Sequence, residues 1–410
     1  MPSAAAQLEV TPDEASLLST RLVISAAVVL LSTAFVIVAA LAAAPGQHLS
    51  PRTYYVSPSG SDRSHGTLRH PWRTVARVDR AHLVPGDRIL FQGGRTFTDA
   101  TLIPSSSGSP GKPIVFGSYG RGRATIANSR GAVWFSGRSD ITFSKLRLTT
   151  NDADAVILAG STQRSDRVTL EGCLLLDSKD AAVNQPSSSD TGWVIRDNSI
   201  RHVGDSALIL QGAEDVVRNN VIEDVGWNTA LDYGKHGIYA KGPEITIVDN
   251  RIDGFTGSGI SLRYPDARVY RNTISKGDTG IAFFREDTQV GTSYIVGNLI
   301  TGTGIGFYYD DGGGENFVIE NNTIDMTGGT AIDIQGSPAT SITVSGNLFL
   351  GDADYVLAVQ PFAEGATFAE SNDSFEMTPT FSWHRQPLDL PGYRLASGQG
   401  AGDSIGFTPR

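Results

Sequence analysis

The chain is poor in the features that define most folds. One cysteine, Cys173, is present in 410 residues, so the fold cannot depend on internal disulfides, and the residue reads as a small buried hydrophobe. Apolar residues do not recur at i, i+3, i+4 and i+7, which excludes a helical repeat. Asn-Gly turns are few, which argues against a hairpin-rich sandwich. Lys and Arg number 33 against 43 Asp and Glu, for a net charge of −10. Such a chain is a poor general binder of nucleic acid, because phosphate contacts need clustered cations; no nucleic-acid partner is expected. No Lys-Ser/Thr follows the glycine run at 312–314, so that run is a loop and not a phosphate cradle.

What is present is a repeat. Asn198, Asn220, Asn250, Asn272, Asn298, Asn322 and Asn347 are separated by 22, 30, 22, 26, 24 and 25 residues. Each has Ile or Phe two places later and Ile or Val three places earlier, as in Ile247, Asn250 and Ile252. A second short apolar run accompanies each unit, such as Gly237-Ile238-Tyr239-Ala240 or Gly259-Ile260-Ser261-Leu262. Periods of this size signal stacked coils. Winding each unit into one coil, with every strand parallel to its copy in the next, buries the Ile and Val columns in a continuous core. The asparagines then form a buried ladder that tolerates left-handed backbone and bonds neighbouring copies, a structural role and not a chemical one.

This pattern resembles the right-handed parallel β-helix of pectate-lyase-like proteins. The expected class is all-β, with about nine coils between Ile141 and Leu357, the coils without asparagine aligning at Lys145 and Gly172. The order of motifs before the repeat, from Tyr54-Tyr55-Val56 through Pro71-Trp72-Arg73 to Pro85-Gly86-Asp87, is similar to the start of secreted bacterial polysaccharide-lyase-like proteins. A repeat stack needs its apolar end covered, and a short helix around Trp72, Val75 and Val78 would help cover it. The expected organisation is a cytoplasmic tail over 1–21, a transmembrane signal-anchor or cleaved signal over 22–44, and a linker over 45–52. An N-terminal cap with first strands over 53–130, the β-helix over 131–358 and a C-terminal cap over 359–410 follow. Residues 22–44 are uncharged and long enough to span a bilayer as a helix. They make the membrane an expected partner and place the coils outside the cytoplasm, anchored in a single pass, or secreted if the segment is cleaved.

The repeat serves as a ruler. With Gly237 as zero, the plus-two column reads Ile209, Tyr239, Ser261, Ala282, Gly306 and Asp333, and the plus-four column Gln211, Lys241, Arg263, Phe284, Tyr308 and Gln335. Lys241 and Arg263 become neighbours on one outward face, flanked by Tyr239, Phe284, Arg285 and Tyr308. Acidic turns follow at Glu286-Asp287 and Asp310-Asp311. Cations beside aromatic rings suit an acidic polysaccharide, because guanidinium forks onto carboxylate and rings stack on sugars.

The run Lys241-Gly242-Pro243 … Asn250 … Arg263-Tyr264-Pro265-Asp266 resembles the alginate lyase and chondroitinase B family. That resemblance implies lyase-type β-elimination, or epimerisation, of a uronic-acid polymer. Lys241 would be the base and Arg263 its catalytic partner, with His236 a third catalytic candidate at the groove's edge. Tyr239, Phe284, Arg285, Tyr308, Asp310 and Asp333 would bind substrate. Tyr264 replaces the family's histidine, and Gly234, Lys235 and His236 stand where acidic calcium ligands are expected. No cofactor is therefore expected; calcium is the one candidate, and its ligands are missing. Two alternatives use the same face: a non-catalytic carbohydrate-binding or envelope-structural protein, and a glycoside hydrolase built on paired carboxylates such as Asp310 and Asp333.

Overall fold

Most coils consist of three short extended runs that turn at residues with positive φ, such as Asp249 and Glu244. The computed structural model describes residues 50–150, 155–230, 234–286, 289–310 and 315–406. The tail and apolar segment expected over 1–44, together with Asp232, Asp287, Asp311 and the 312–314 loop, lie outside the described residues. Among the described residues no helix is long and apolar enough to cross a membrane.

The first face is a 13-stranded sheet. It includes Val194–Arg196, Val216–Arg218, Thr246–Val248, Arg268–Tyr270 and Thr292–Val296, all paired in parallel. The second face carries Ser199–Val203, Val221–Val225 and Arg251–Phe255. The third carries Leu208–Leu210, Ile238–Ala240 and Ser258–Leu262. In two coils, Thr273–Phe283 and Leu299–Tyr309, the second and third faces run as one strand. The result is an all-β parallel solenoid of about 11 turns. Its axis is filled by stacked columns such as Ile195, Val217, Ile247, Val269, Ile295, Ile319 and Val344, all buried.

The stack is longer than the asparagines indicate. Thr53–Val56, Arg88–Gln92 and Ile114–Tyr119 extend the first face at one end, and Thr367–Ser371 extends it at the other. These strands lack the ladder residue, which is why the period conceals them. Between the first strands, Val75–Asp79 forms a five-residue helix capped by the Thr74 side chain, with Val75 and Val78 buried. At the far end Leu390–Ser397 is a helix with Asp389 as N-cap, and Tyr393 stacks on Phe381 at 4.1 Å between ring centres.

The ladder is continuous. Each side-chain amide donates to the next side-chain carbonyl: Asn198 to Asn220 at 3.0 Å, Asn220 to Asn250 at 2.9 Å, and Asn250, Asn272, Asn298 and Asn322 each to its successor at 3.0 Å. The backbone N–H of each ladder residue donates to the same acceptor, as from Asn272 to Asn298 at 2.9 Å. Two details correct the reading from sequence. The left-handed residue is not the asparagine but the one before it: Asp197, Asn219, Asp249, Arg271, Gly297, Asn321 and Gly346. The ladder position in the coils without asparagine falls on Cys173 and Leu146, because Leu174 pairs with both Ser199 and Arg147. Lys145 and Gly172 are the left-handed residues preceding them. Burial pushes the Cys173 thiol up to about 12, so it packs as an inert hydrophobe.

At the far end the ladder closes on Asp373, whose carboxylate accepts from the Asn347 backbone at 2.6 Å and side chain at 3.1 Å. Glu370 and Asp403 lie beside it. Burial first, then the charge of Asp403, raises both Glu370 and Asp373 above the ordinary carboxylate range, against the hydrogen bonds that Asp373 accepts from Asn347.

Two outcomes follow. Asn272→Ala strips partners from buried groups on both neighbouring coils and should cost at least about 2 kcal/mol of unfolding free energy by chemical denaturation. Thr229→Ala on the exposed surface should change it by less than about 0.5 kcal/mol. For the acidic end, the folded state holds protons that the unfolded state has lost. Stability from this cluster is therefore present below the ordinary carboxylate range and declines as pH rises above it. Glu370→Gln should flatten that decline in a series of melting temperatures against pH.

Candidate functional site

The third face turns its outward residues into a cleft. The observed register aligns Ile209, Tyr239, Ser261, Ala282, Tyr308 and Asp333 in one column. Tyr308, not Gly306, thus occupies the plus-two level of its coil, and Asp310 falls beside the plus-four level. The inward residue there is Phe307, paired with Ile281. The Gly304-Ile305-Gly306 run imitates the motif of other coils and disguises a shift of two residues. The correction brings Tyr308 directly above Asp333.

Lys241 and Arg263 stand one coil apart, as the spacing implies. They do not stand free. The Glu286 carboxylate bridges them, with one oxygen 3.1 Å from Lys241 Nζ and the other 3.3 Å from Arg263 Nε. The Tyr239 hydroxyl completes the group, accepting from Arg263 Nε at 3.3 Å and donating to Glu286 at 3.4 Å. The guanidinium lies over the rings of Tyr239 and Phe284, 5.0 and 4.6 Å from their centres. The Arg263 side chain keeps only 14% of its exposure and that of Lys241 24%. Two aromatic faces and one carboxylate thus fix the cation, which limits the side-chain entropy lost when a ligand binds.

His236 is not at the groove's edge; it retains 6% exposure. Its Nδ1 accepts the Ser258 backbone N–H at 3.0 Å. The neutral ring therefore carries its proton on Nε2, a donor rather than a base. Burial, reinforced by the Arg263 charge, lowers its pKa to about 4. The ring also packs on Tyr239, with centres 4.9 Å apart. The tight coil keeps it inside: Ser206 Oγ accepts the His236 backbone N–H at 3.1 Å, binding it to the preceding turn.

His236, Tyr239, Arg263 and Phe284 line a cleft of about 450 Å³, whose walls include Asp205, Asp278 and Thr279. Phe284 on its rim meets Tyr308 at 5.4 Å between ring centres. Beyond Tyr308 opens a second concavity of about 670 Å³, lined by Asp310, Asp333, Gln335, Gln360 and Arg385. There the Tyr308 hydroxyl donates to Asp310 at 3.1 Å. Burial and then this acidic neighbour push Tyr308 up to about 12. Burial, and secondarily the charge of Asp310, raises Asp333 against a hydrogen bond from Gln335.

Eight of the nine expected site residues line these two cavities or, for Lys241, pair with a residue at the first. Arg285 does not line either; it donates to the Gln289 carbonyl at 3.0 Å. The long gap between Asn220 and Asn250 holds an extra loop over 226–233, which its place in the repeat would bring beside this face; residues 226–230 of it are described. The described part of its loop folds back on earlier coils, where Trp227 stacks on His202 at 4.9 Å and Asn228 donates to the Lys179 carbonyl. Gly234, His236 and Tyr239, further along the same gap, line the cleft. Glu286 and Arg385 were missed as site residues. Glu286 is the nearest acid after the strand that follows Arg263 and was legible as a counter-ion. Arg385 lies beyond the last asparagine, where no ruler remained. Among the described residues no group of three or more His, Cys, Asp or Glu is placed to hold a metal ion.

A family model described as "right handed beta helix region" matches residues 182–359. The uncharacterized protein YwoF of Bacillus subtilis (strain 168) is 25% identical over 321 residues, covering 73% of this chain and 62% of YwoF. The chain thus spans less than two thirds of that relative's length. Among solved structures, the complex of XylC with xylose is similar at a TM-score of 0.61 and 12% identity, over 79% of this chain and 83% of that one. The A-module of the Azotobacter vinelandii mannuronan C-5 epimerase AlgE6 is similar at 0.53 and 15% identity, over 79% and 92%. At these identities the likeness to the two structures is one of fold.

One outcome is expected from the His236 environment. The ring should stay neutral, with its proton on Nε2, from pH 9 down to about pH 5, given a pKa near 4. Imidazole nitrogen shifts in a pH titration check this. The unfolded chain takes up this proton at about pH 6.5. The associated stability is therefore full above pH 6.5 and is lost as pH falls towards 4, by on the order of 3 kcal/mol.

Proposed function

Taking the chain as the right-handed parallel β-helix protein that its topology and family match make it, we propose that it acts on an acidic polysaccharide outside the cytoplasm. A uronate ring would dock its carboxylate on Lys241 and Arg263. One observation carries the reading: both cations already grip a carboxylate, that of Glu286, one through each oxygen. A site that holds one carboxylate between an ammonium and a guanidinium has the charge and spacing to hold another. Similar folds in a xylose complex and a mannuronan epimerase module agree with a carbohydrate ligand. Segment 22–44 would tether the coils to the membrane, or release them if cleaved.

The chemistry that suits this arrangement is proton removal at the carbon bearing the carboxylate. Once the substrate has displaced Glu286, its carboxylate settles on Arg263, and Lys241 releases a proton to solvent and turns its free amine to C5. Lys241 then takes the C5 proton, while Arg263 neutralises the charge that spreads into the carboxylate. The electron pair left at C5 either forms the C4–C5 double bond as the C4–O bond breaks, or recaptures a proton on the opposite face. The first course is β-elimination, the second epimerisation. The Tyr239 hydroxyl supplies the proton to the leaving oxygen or to C5. His236, neutral and buried, is a positioning residue for Tyr239.

A second reading rests on the larger cavity. There Asp333 has a raised carboxyl pKa beside Asp310, as an acid of a hydrolase would. A third is a binder that uses the same surface without turnover.

Incubating the full chain with alginate, pectate and glycosaminoglycans separates these readings. Elimination gives ultraviolet absorbance from an unsaturated uronate, and epimerisation alters uronate NMR signals without cleavage. Hydrolysis releases reducing ends without absorbance and responds to Asp333→Asn. Lys241→Ala should lower turnover by at least about a hundredfold and affinity by less than about tenfold; a binder loses affinity alone. Glu286→Gln should tighten binding of uronate oligomers several-fold, because the competing internal charge is gone. Unchanged or weaker binding by that variant would count against the carboxylate receptor.

A further inference from the structure

The net charge of the chain conceals a segregation. Residues 51–130 carry 12 Lys and Arg against 4 Asp, an excess of eight positive charges, whereas 131–410 carry 20 against 36. The four acids of the basic segment are spent on backbone amides. Asp62 accepts from Arg73 and Thr74, Asp79 from Ile103, Asp87 from Arg52 and Val84, and Asp99 from Val75 and Ala76. Among the described residues none of the twelve cations forms an ion pair; along the chain such pairs begin with Asp140 and Arg167. Eleven of the twelve are exposed, and Arg77 is half-buried, its guanidinium 4.3 Å from the centre of the Trp72 ring.

The fold gathers these charges at one end of the stack. Thr53–Val56 is the outermost strand of the first face. Arg52 and Arg88 meet at one corner, where the Arg52 carbonyl accepts the Arg88 N–H at 2.8 Å. At the next corner Arg95 precedes Thr96, which pairs with Thr125, and Arg123 is level with Lys145, because Ala124 pairs with Leu146. The loop that follows Val56 returns to the outer edge of the same strand, where Trp72 bridges to Val56. It carries Arg63 and Arg69, and its turn from Thr67 to His70 presents Leu68, 58% exposed, beside Arg69.

We propose that this end of the solenoid is a docking surface for the anionic headgroups of a lipid bilayer. Exposed guanidinium groups without carboxylate partners fork onto phosphate oxygens. A bilayer offers many such groups in one plane, above an apolar layer that can take in Leu68. A soluble polyanion offers the charge without that layer. The tether proposed over 22–44 is a further reason to choose lipid, since the linker 45–52 spans at most about 30 Å even fully extended. Uronate docking plays no part. The strand after Lys241, Thr246–Val248, is seven strands along the first face from Thr53–Val56, or roughly 34 Å at the usual strand spacing.

Lipid quenching and co-sedimentation of the full chain test this, with vesicles of phosphatidylcholine alone or with about 30% phosphatidylglycerol. Cys173 is buried, so a fluorophore enters at one added thiol, Thr67→Cys at this end or Leu395→Cys on the helix at the far end. Spin-labelled lipid should quench position 67 strongly in anionic vesicles and weakly in neutral ones, and position 395 weakly in both. About 0.5 M NaCl should abolish the strong quenching. Arg63→Glu with Arg69→Glu should shift the ratio of docked to free ends at least about tenfold towards free. Leu68→Ser should shift it several-fold the same way. Melting temperatures check these variants, and Arg63→Gln with Arg69→Gln reads a smaller loss if the charge reversals do not fold. Equal quenching in the two kinds of vesicle, or at the two positions, would overturn the docking surface. Binding to dextran sulfate as tight as to anionic vesicles, and unmoved by Leu68→Ser, would assign this end to a soluble polyanion and overturn the choice of lipid. A chain that a salt wash strips from neutral vesicles, while anionic ones retain it at low salt, would overturn the tether and leave the docking surface standing.

Discussion

Everything in this molecule hangs on one repeated interaction: a buried asparagine amide that donates to the asparagine of the next coil and accepts from the one before. Parallel strands of three to five residues carry few ladder hydrogen bonds each, and any strand could slip by two residues without reversing its faces. The side-chain ladder removes that freedom. A slipped coil would leave buried amides unpaired at two levels, and burying an unpaired polar group costs more than a short strand can return. With register fixed at one corner, the Ile and Val columns stack in line and the third face presents its outward residues in a fixed order.

That order makes the groove. Lys241 and Arg263 belong to different coils, and nothing local brings them together; stacking does. Once adjacent, they would repel, and Glu286 resolves the conflict by accepting from both. Tyr239 and Phe284 sandwich the guanidinium, and His236 supports Tyr239 from beneath in a neutral state enforced by burial. The resting site is thus a closed network in which each charge is answered. A ligand carboxylate offers the same contacts as Glu286, so exchange costs less than desolvating bare cations would.

The same geometry explains what was readable in advance. The period revealed the fold, the ladder, the inward columns and the meeting of Lys241 with Arg263, because each follows from an equal offset in a regular stack. The reading failed where regularity failed. Gly304-Ile305-Gly306 mimicked a strand motif and misplaced Tyr308 by two residues. In the loop over 226–233, the described residues Trp227 and Asn228 pack on His202 and Lys179 rather than at the groove. The strands Thr53–Val56, Arg88–Gln92 and Ile114–Tyr119 and the last coil, where Asp373 stands at the ladder level, went uncounted because no asparagine marks them.

The amino-acid sequence alone determined the repeat, the burial of its apolar columns and the neighbourhood of the two cations, since these depend only on spacing and hydrophobic pattern. The tertiary structure alone decided the state of the groups at the site. The bridging by Glu286, the tautomer of His236, the raised carboxyl of Asp333 and the arrival of Arg385 depend on turns and on distances between coils. Turn geometry and local dielectric are properties of the packed solenoid, and no spacing along the chain encodes them directly.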